Sequence, residues 1–453
     1  MKFLFKHIRL FILLLLIVWM SACKKFLDES PDKKLAIPTT LNDCRAMLGY
    51  TPFMGTDASY AEVSADNYYN TQADHNALIY EGMRRAYTWQ PDQIFDVPDN
   101  DWARLYRKVY VSNVVLATLQ KIPVEASNER EWKTLKGESL FIRAKCFAQL
   151  VDLWSLVYDE ANASTLPGIP LRLTDDFNET SVRSTMQQTY DQLLADYHAS
   201  LLFLPPLPLH IVQPSKAAGY ALLSRAYLAM RNYPEALKYA DSSLQLKNTL
   251  LNYNTVAINQ TFSFRQFNVE QLYYTTASSG HLINSRARVD STLYNMYAAD
   301  DCRKQLFFRQ HADGSFLFKG SYTGGSSQFA GIATDEVYLT RAECYARQGN
   351  TAAALADLNE LLRNRIKTAT FIPVTAATAE DALQKIITER RKELLMRFVR
   401  WMDIKRFNKD GAGIVMKRKI NNQEYILPPN DLRYALPVPD DIIRISGMQQ
   451  NPR

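Results

Sequence analysis

Two segments of the chain share one spacing of small and aromatic residues, and this spacing predicts paired helices. In each segment a small residue is followed by a tyrosine three positions later and by an alanine nine positions after the tyrosine. The two sets are Ser224, Tyr227 and Ala236, and Ala342, Tyr345 and Ala354. Small residues at a crossing point let antiparallel helices approach closely while the tyrosine fills the groove between them. We therefore expect helix-turn-helix pairs over residues 215–246 and 337–365.

This spacing is typical of tetratricopeptide (TPR) repeats, and other stretches extend the helical pattern. Residues 143–147 form a third, weaker copy of the spacing. A threonine of the segment 38–40 can cap a first helix. Apolar periodicity predicts further helices over 102–119, 137–157, 189–202 and 382–407, the third of them opened by a capping box of Ser184 and Gln187. The expected fold is mainly α, with a TPR-like helical-repeat body.

Two aromatic-rich segments lack helical periodicity and interrupt this pattern. Residues 60–101 are expected to form a long loop, and residues 247–332 loops with a few short strands such as the one at 315–318. Long loops in compact proteins are commonly functional. Two such regions flanking a helical scaffold predict a loop-rich, irregular ligand-binding face.

The N-terminus has the pattern of an export signal. Three basic residues precede an uninterrupted apolar run at 10–20, which is too short to span a bilayer. The run ends in Met-Ser-Ala-Cys, which resembles a bacterial lipobox and makes Cys23 the expected lipidation site. We expect residues 1–22 to be a signal peptide, 23–37 a tether, and the lipid to hold the protein on a membrane outside the cytoplasm.

Composition disfavours several classes of function. The net charge is +6, of which three charges lie in the signal peptide, and no run of five like charges points to nucleic acid. The histidines show no zinc-site spacing. Catalytic motifs are absent, and the acid pairs Asp99/Asp101 and Asp175/Asp176 are better explained as solvated loop acids than as a glycosidase pair. Four further cysteines are expected to be buried thiols, namely Cys44, Cys146, Cys302 and Cys344. Whether they form disulfides, and whether the protein binds a structural cation, stays open.

Residues 389–406 resemble the C-terminal signature of the SusD/RagB family of outer-membrane lipoproteins of Bacteroidetes. The matching residues are Glu389, Arg390, Arg391, Glu393, Leu394, Arg400, Trp401, Asp403 and Arg406. Arg397 and Phe398 stand where a Glu-Gly pair is usual. Arg390 lies in the apolar stripe of this helix, and structural ion pairing is its expected role. Shorter matches run in family order along the chain, at 26–28, 38–41, 168–171, 336–339 and 436–439.

The resemblance implies an N-terminal part at 38–246 and a C-terminal part at 247–453, with four TPR-like units in the helical body. It also implies a SusC-like TonB-dependent transporter as partner, an outer-membrane location at the cell surface, and capture of an oligosaccharide without catalysis. It implies no cofactor. Two alternatives stay open: the same architecture binding peptides or other nutrients, and a TPR-type adaptor that binds protein through its repeats.

Sugar binding requires flat apolar rings and a few polar groups on a preformed scaffold. From the first aromatic region the candidates are Trp89, Tyr68, Tyr69, Tyr87, Asn100 and Asp101, and from the second Tyr294, Phe318 and Tyr322. Burial in the core is the alternative for each of them. Trp102, at the start of a periodic helix, is expected in the core.

Overall fold

The structure, a computed structural model, describes residues 38–453, and this part of the chain is mainly helical. The predicted signal peptide, Cys23 and the tether at 23–37 lie outside the described residues. Residues 40–453 form one compact unit. The division at residue 246 stays a prediction.

The helices vary from single turns to seven turns in length. They are α1 (Leu41–Leu48), α2 (Thr51–Met54), α3 (Tyr60–Val63), α4 (Gln72–Asn76), α5 (Glu81–Tyr87), α6 (Asp101–Lys121), α7 (Glu129–Trp154), α8 (Met186–Leu201), α9 (Lys216–Ala229), α10 (Tyr233–Leu246), α11 (Ser291–Asn295), α12 (Arg303–Leu306), α13 (Thr334–Arg347), α14 (Thr351–Arg363), α15 (Ala379–Glu393), α16 (Arg400–Lys409) and α17 (Asp440–Ser446), with 3₁₀ turns at Tyr253–Thr255 and Leu432–Tyr434. Among residues 38–453, no helix is both long and apolar enough to cross a membrane.

The strands are short. They are β1 (Tyr68–Tyr69), β2 (Pro167–Pro170), β3 (Arg183–Thr185), β4 (Gln271–Tyr273), β5 (Thr276–Ala277), β6 (Arg288–Val289), β7 (Phe308–Gln310), β8 (Phe316–Phe318), β9 (Gln328–Phe329), β10 (Ile332–Ala333), β11 (Met416–Ile420) and β12 (Gln423–Leu427). Four strands form one sheet in the order β1-β6-β8-β7, and the others pair as β10-β4, β11-β12, β2-β3 and β5-β9. The mainly α fold with a few short strands is confirmed.

The two predicted helix pairs are present as α9 with α10 and α13 with α14. Ala236 and Ala354 are completely buried where the helices of each pair meet. The Ser224 hydroxyl donates to the Ala236 carbonyl at 2.8 Å and so joins the first pair directly. The small side chains at these positions therefore let the helices of each pair approach closely, as the spacing predicted.

Side-chain caps set several helix starts. Thr40 and Asp43 form a capping box on α1, as the predicted threonine cap requires. At α8 the capping box is formed by Thr185 and Gln188, one residue later than predicted. Thr185 has the extended backbone of an N-cap, so the helix begins at Met186.

The predicted single helix over 382–407 is wrong, because the chain breaks between α15 and α16. Met396 and Phe398 have φ of 59° and 60°, a left-handed conformation that no α-helix contains. Phe398 occupies the position at which the family usually has glycine, the residue best suited to positive φ. The departure from the family pattern thus falls at the turn itself.

The first aromatic segment is also more ordered than predicted. The expected loop at 60–101 contains α3, β1, α4 and α5, so no long irregular loop exists there. Periodicity does not reveal α3, α4 and α5, because each of these helices is shorter than two turns. The second segment, 247–332, matches its prediction of loops with short strands, and β8 lies within the stretch expected to be extended.

The signature residues form a buried network of charges that joins several elements. Arg390 donates to Asp403 at 2.8 Å, so its predicted structural pairing is confirmed. Arg406 pairs with Asp403 and with Glu343 of α13. Burial raises the pKa of Glu343, but Arg406 outweighs burial and the pKa falls to about 2. The signature thus secures helix packing.

The four predicted buried thiols are confirmed as buried and free, namely Cys44, Cys146, Cys302 and Cys344.

Candidate functional site

The four-stranded sheet brings the two aromatic regions together. Strand β1 comes from the first region, whereas β6, β7 and β8 come from the second. Tyr69 pairs with Arg288, Arg288 with Leu317, and Leu317 with Arg309 in successive antiparallel registers. The interpretation of two irregular regions as one face thus has a structural basis.

The pleat of this sheet separates the predicted site residues. Successive side chains of a strand point to opposite faces, whereas paired residues share a face. Tyr68 and Phe318 point into the core, where they are 3% and 5% exposed. Tyr69 points the other way and is 39% exposed. On the same face Arg288 and Leu317 are 6% and 0% exposed, and Arg309 is exposed on the edge strand β7. We call the surface formed by Tyr69, Arg288 and Arg309 the outer sheet face.

Arg288 is the polar centre of the outer sheet face. Its guanidinium donates to Asp74 at 2.7 Å and to Asp313 at 3.3 Å, and its Nε has no hydrogen-bond partner within residues 38–453. Hydrogen bonds from Ser315 hold the pKa of Asp313 well below its usual range, so this carboxylate stays charged. Arg288 is only 6% exposed and is a buried, fixed part of this face, whereas Tyr69 and Arg309 are its solvent-exposed groups.

Tyr294 lies at the edge of the same sheet. Its ring stacks on Phe316 with centroids 3.6 Å apart and planes 11° apart. Lys304 places its Nζ 5.1 Å from the Tyr294 centroid. The ring is half-buried, so one part of it still faces solvent. Tyr294 is therefore partly accessible, but it packs on Phe316 and Phe308, whose side chains lie on the face of the sheet opposite to Tyr69.

Trp89 and Tyr87 are core residues instead, which the sequence could not distinguish. The Arg418 guanidinium lies 4.0 Å from the Tyr87 centroid and 4.6 Å from that of Trp89. Trp89 Nε1 donates to the Ser64 carbonyl at 2.9 Å, and Trp89 and Tyr87 are 4% and 1% exposed. Neither ring has a face open for stacking. Trp102 is buried as predicted.

Asn100 and Asp101 are fixed at the start of α6. Asn100 is the N-cap and accepts from the Ala103 amide at 3.0 Å. Asp101 is buried and accepts from the amides of Ser59 at 2.6 Å and Tyr60 at 3.1 Å. Burial raises the pKa of Asp101. Both polar groups are thus committed to the scaffold and not displayed to a ligand.

Tyr322 lies inside a buried group of charges. Its hydroxyl donates to Glu270, whose carboxylate lies with those of Asp335 and Glu393 within 4.8 Å. Arg365 donates to both Glu270 and Glu393 at 2.7 Å. Arg397 donates to Asp335 at 2.9 Å. Arginines thus neutralise this carboxylate group, and Tyr322 is 2% exposed.

Sequence reasoning did not select two exposed aromatic residues. Tyr80, which precedes α5, is 47% exposed, and Phe267 is 42% exposed. Phe267 has a positive φ of 60° and packs edge-on against Tyr274 and His210. Both lie in the aromatic segments already singled out, but only side-chain exposure distinguishes them from their buried neighbours.

Comparison with known families agrees with this architecture. The family described as "Starch-binding associating with outer membrane" matches residues 25–228, and the "SusD family" matches residues 321–453. Together the two matches cover most of the chain. The chain belongs to the SusD/RagB family. This family consists of carbohydrate-binding proteins associated with the outer membrane.

Individual SusD relatives extend the comparison. A SusD-like protein of Formosa agariphila is 28% identical over 151 residues, which is 29% of this chain and 27% of that relative. The alignment thus spans about a quarter of the relative's length.

Solved structures cover nearly the whole chain. A SusD superfamily protein from Bacteroides thetaiotaomicron matches with a TM-score of 0.74 and 21% identity over 91% of this chain and 100% of that chain. A SusD-like carbohydrate-binding protein from Bacteroides vulgatus gives 0.67 and 18% over 90% and 97%. A laminarin-binding SusD-like protein gives 0.65 and 17% over 92% and 99%. At these identities the likeness establishes the fold.

Proposed function

We propose that this protein captures oligosaccharides at the cell surface and delivers them, uncleaved, to a SusC-like TonB-dependent transporter. Membership in a carbohydrate-binding family supports the ligand class. The outer sheet face carries the proposal within this chain, because it has the exposed Tyr69 ring and the exposed guanidinium of Arg309. The lipid at Cys23 would hold the protein in the outer membrane beside its partner.

The proposed site comprises Tyr69 as the ring platform and Arg309 as the hydrogen-bond donor, with the buried Arg288 as a fixed support between them. A sugar places its C–H face on an aromatic ring and its hydroxyl groups toward polar groups at the rim. Arg309 is exposed on β7, and its guanidinium donates to the Asn284 carbonyl at 2.7 Å. This arrangement is preformed, so binding would need little rearrangement.

Calorimetric titration tests the site. We would titrate the purified protein with maltoheptaose, laminarihexaose and a tetrapeptide, and then repeat the measurement with Tyr69→Ala and Tyr69→Phe. We expect Tyr69→Ala to weaken glycan binding by about tenfold, or roughly 1.4 kcal/mol, and Tyr69→Phe to retain most of it. Tyr50, which is 60% exposed, provides a control: Tyr50→Ala should leave affinity unchanged. Binding of the tetrapeptide alone would contradict the proposed ligand class.

Cys23→Ser tests the anchor. A serine cannot form the thioether to which the lipid is attached, so the variant should leave the membrane fraction and lose incorporation of labelled fatty acid. Retention of label in Cys23→Ser would show that the chain is acylated elsewhere.

A further inference from the structure

A second aromatic groove lies apart from the outer sheet face. It has a volume of about 590 Å³ and runs between α6, the loop at 171–182 and α17. This volume lies within the range of ligand-binding clefts in proteins. No predicted site residue lines it.

Phe177 is the most exposed aromatic side chain of this groove. It is 75% exposed at the tip of the loop, and Ile445 of α17, on the opposite wall, is also 75% exposed. Contiguous exposed apolar patches mark interaction sites, whereas single scattered apolar side chains do not. The apolar groups of this groove therefore require an explanation.

The loop that carries Phe177 is held rigidly. Asn113 of α6 donates to the carbonyls of Arg172 at 3.0 Å and Thr174 at 2.9 Å. Arg172 donates across the loop to the Asp176 carbonyl at 2.6 Å and to the Ser181 hydroxyl at 3.2 Å. Phe177 thus projects from a fixed backbone, so binding would have to order little more than its side chain.

The floor of the groove consists of three further rings from α6. Trp102 is buried and packs against Tyr106 with centroids 4.8 Å apart, and the Tyr106 hydroxyl donates to the Pro170 carbonyl at 2.7 Å. Tyr110 is half-buried, and its hydroxyl forms no hydrogen bond in the described part of the chain. A fixed aromatic floor with one free hydroxyl suits a ligand that presents both C–H faces and hydroxyl groups.

The charges at the rim are balanced. Arg107 is exposed and already pairs with Asp99. Glu179 accepts from the Thr174 hydroxyl at 2.9 Å and lies 4.0 Å from Arg172. The charges at the rim thus form two ion pairs, Arg107 with Asp99 and Arg172 with Glu179. Nothing in this arrangement selects a sulfate or a uronate.

We propose that this groove is a second carbohydrate-binding site, in which Phe177 and the α6 aromatic rings hold a segment of a neutral glycan. The assignment rests on the proposed glycan-capture function. It adds to that function a second location and a neutral ligand class. A protein partner docking on the same groove is the alternative that the experiment separates.

The experiment is calorimetric titration of the purified protein with maltoheptaose, laminarihexaose and an oligogalacturonate, using Phe177→Ala and Phe177→Leu. Because Phe177 is exposed, neither variant should disturb folding, which circular dichroism would verify. We expect both variants to weaken binding of a neutral glycan about tenfold or to remove one of two binding events, since leucine lacks a flat ring. Val182→Ala, an equally exposed change on the same loop outside the groove, should have no effect.

The outcomes separate the two proposals. If the wild-type protein binds a neutral glycan and Phe177→Ala binds it equally well, the groove is not a carbohydrate site, and the proposed function stands on the outer sheet face alone. If Phe177→Leu retains full affinity while Phe177→Ala loses it, generic apolar contact explains the groove and the glycan assignment is wrong. Preference for the oligogalacturonate would overturn the neutral-ligand assignment. If the wild-type protein binds none of the glycans, both proposals fail.

Discussion

Arg418 is the side chain around which the first aromatic region is packed. Its guanidinium donates to the carbonyls of Val63 and Ala65 at 2.7 Å and also to that of Tyr87. Arg418→Ala would leave the buried carbonyls of Ala65 and Tyr87 without a donor, at a cost of about 1–3 kcal/mol each, while Val63 keeps the Tyr68 hydroxyl at 2.9 Å. We expect the free energy of unfolding, measured with urea, to fall by about 3–5 kcal/mol. The exposed neighbour Lys417 serves as control, and equal effects of Lys417→Ala and Arg418→Ala would contradict this role.

Glu62 should make stability depend on pH. It is completely buried and accepts from Asn67 Nδ2 at 2.8 Å and from the Phe398 amide at 3.1 Å. Burial raises its pKa from 4.5 to about 7, so between these values the folded protein holds a proton that the unfolded chain releases. The contribution of Glu62 to stability is therefore greatest below pH 4.5 and falls by about 3 kcal/mol as the pH rises to 7.

The difference in unfolding free energy between the wild-type protein and Glu62→Gln isolates this effect. Glutamine does not titrate, so the stability of Glu62→Gln relative to the wild-type protein should rise between pH 4.5 and 7. Glu424→Gln, at an exposed position of β12, should show no such trend. A pH-independent difference for Glu62→Gln would mean that the pKa of Glu62 is near its ordinary value.

At the scale of elements, the turn between α15 and α16 predicts an unusual order of stability among variants of Phe398. Phe398→Ala and Phe398→Gly both remove the ring, but only glycine adopts the φ of 60° without strain. We expect Phe398→Gly to be more stable than Phe398→Ala by about 1 kcal/mol. In the exposed helical position Ala352, the change to glycine should instead destabilise by about 1 kcal/mol. Thermal unfolding measures both, and a more stable Phe398→Ala would contradict the left-handed turn.

The α13–α14 pair should be sensitive to side-chain volume at its contact. Ala354 is completely buried there, and a leucine would force the helices apart at a cost of about 1–3 kcal/mol or more. Ala352 lies in the same helix but is exposed, so Ala352→Leu should change stability by less than about 0.5 kcal/mol. Chemical denaturation compares the two, and equal stabilities would show that this contact does not need a small residue.

At the scale of the whole molecule, elements with a strong period were predictable from sequence. The helix pairs follow from residue spacing, and α6 follows from its apolar stripe. Periodicity could not predict the turn at Phe398, because the apolar stripe continues through it. Only the backbone conformation changes there, from right-handed to left-handed. The family usually has glycine at this position, where this chain has Phe398. That difference did not identify the position as the end of a helix.

The candidate site was predictable as a region and not as a set of residues. Tyr68 and Tyr69 are adjacent in sequence, but the pleat sends one to the core and the other to solvent. Trp89 is covered by Arg418, which lies 329 positions later in the chain. Strand register and such distant contacts decide which ring is exposed. Neither can be deduced from the residues that neighbour the ring in the sequence.

The central claim is that this molecule holds glycans on its outer sheet face. Crystals of the protein grown with the tightest-binding glycan of the titrated panel test this most directly. We predict sugar density over the Tyr69 ring, with hydroxyl groups within hydrogen-bonding distance of Arg309. Density confined to the TPR-like helix pairs, or an outer sheet face left empty while glycan is bound elsewhere, would contradict the claim.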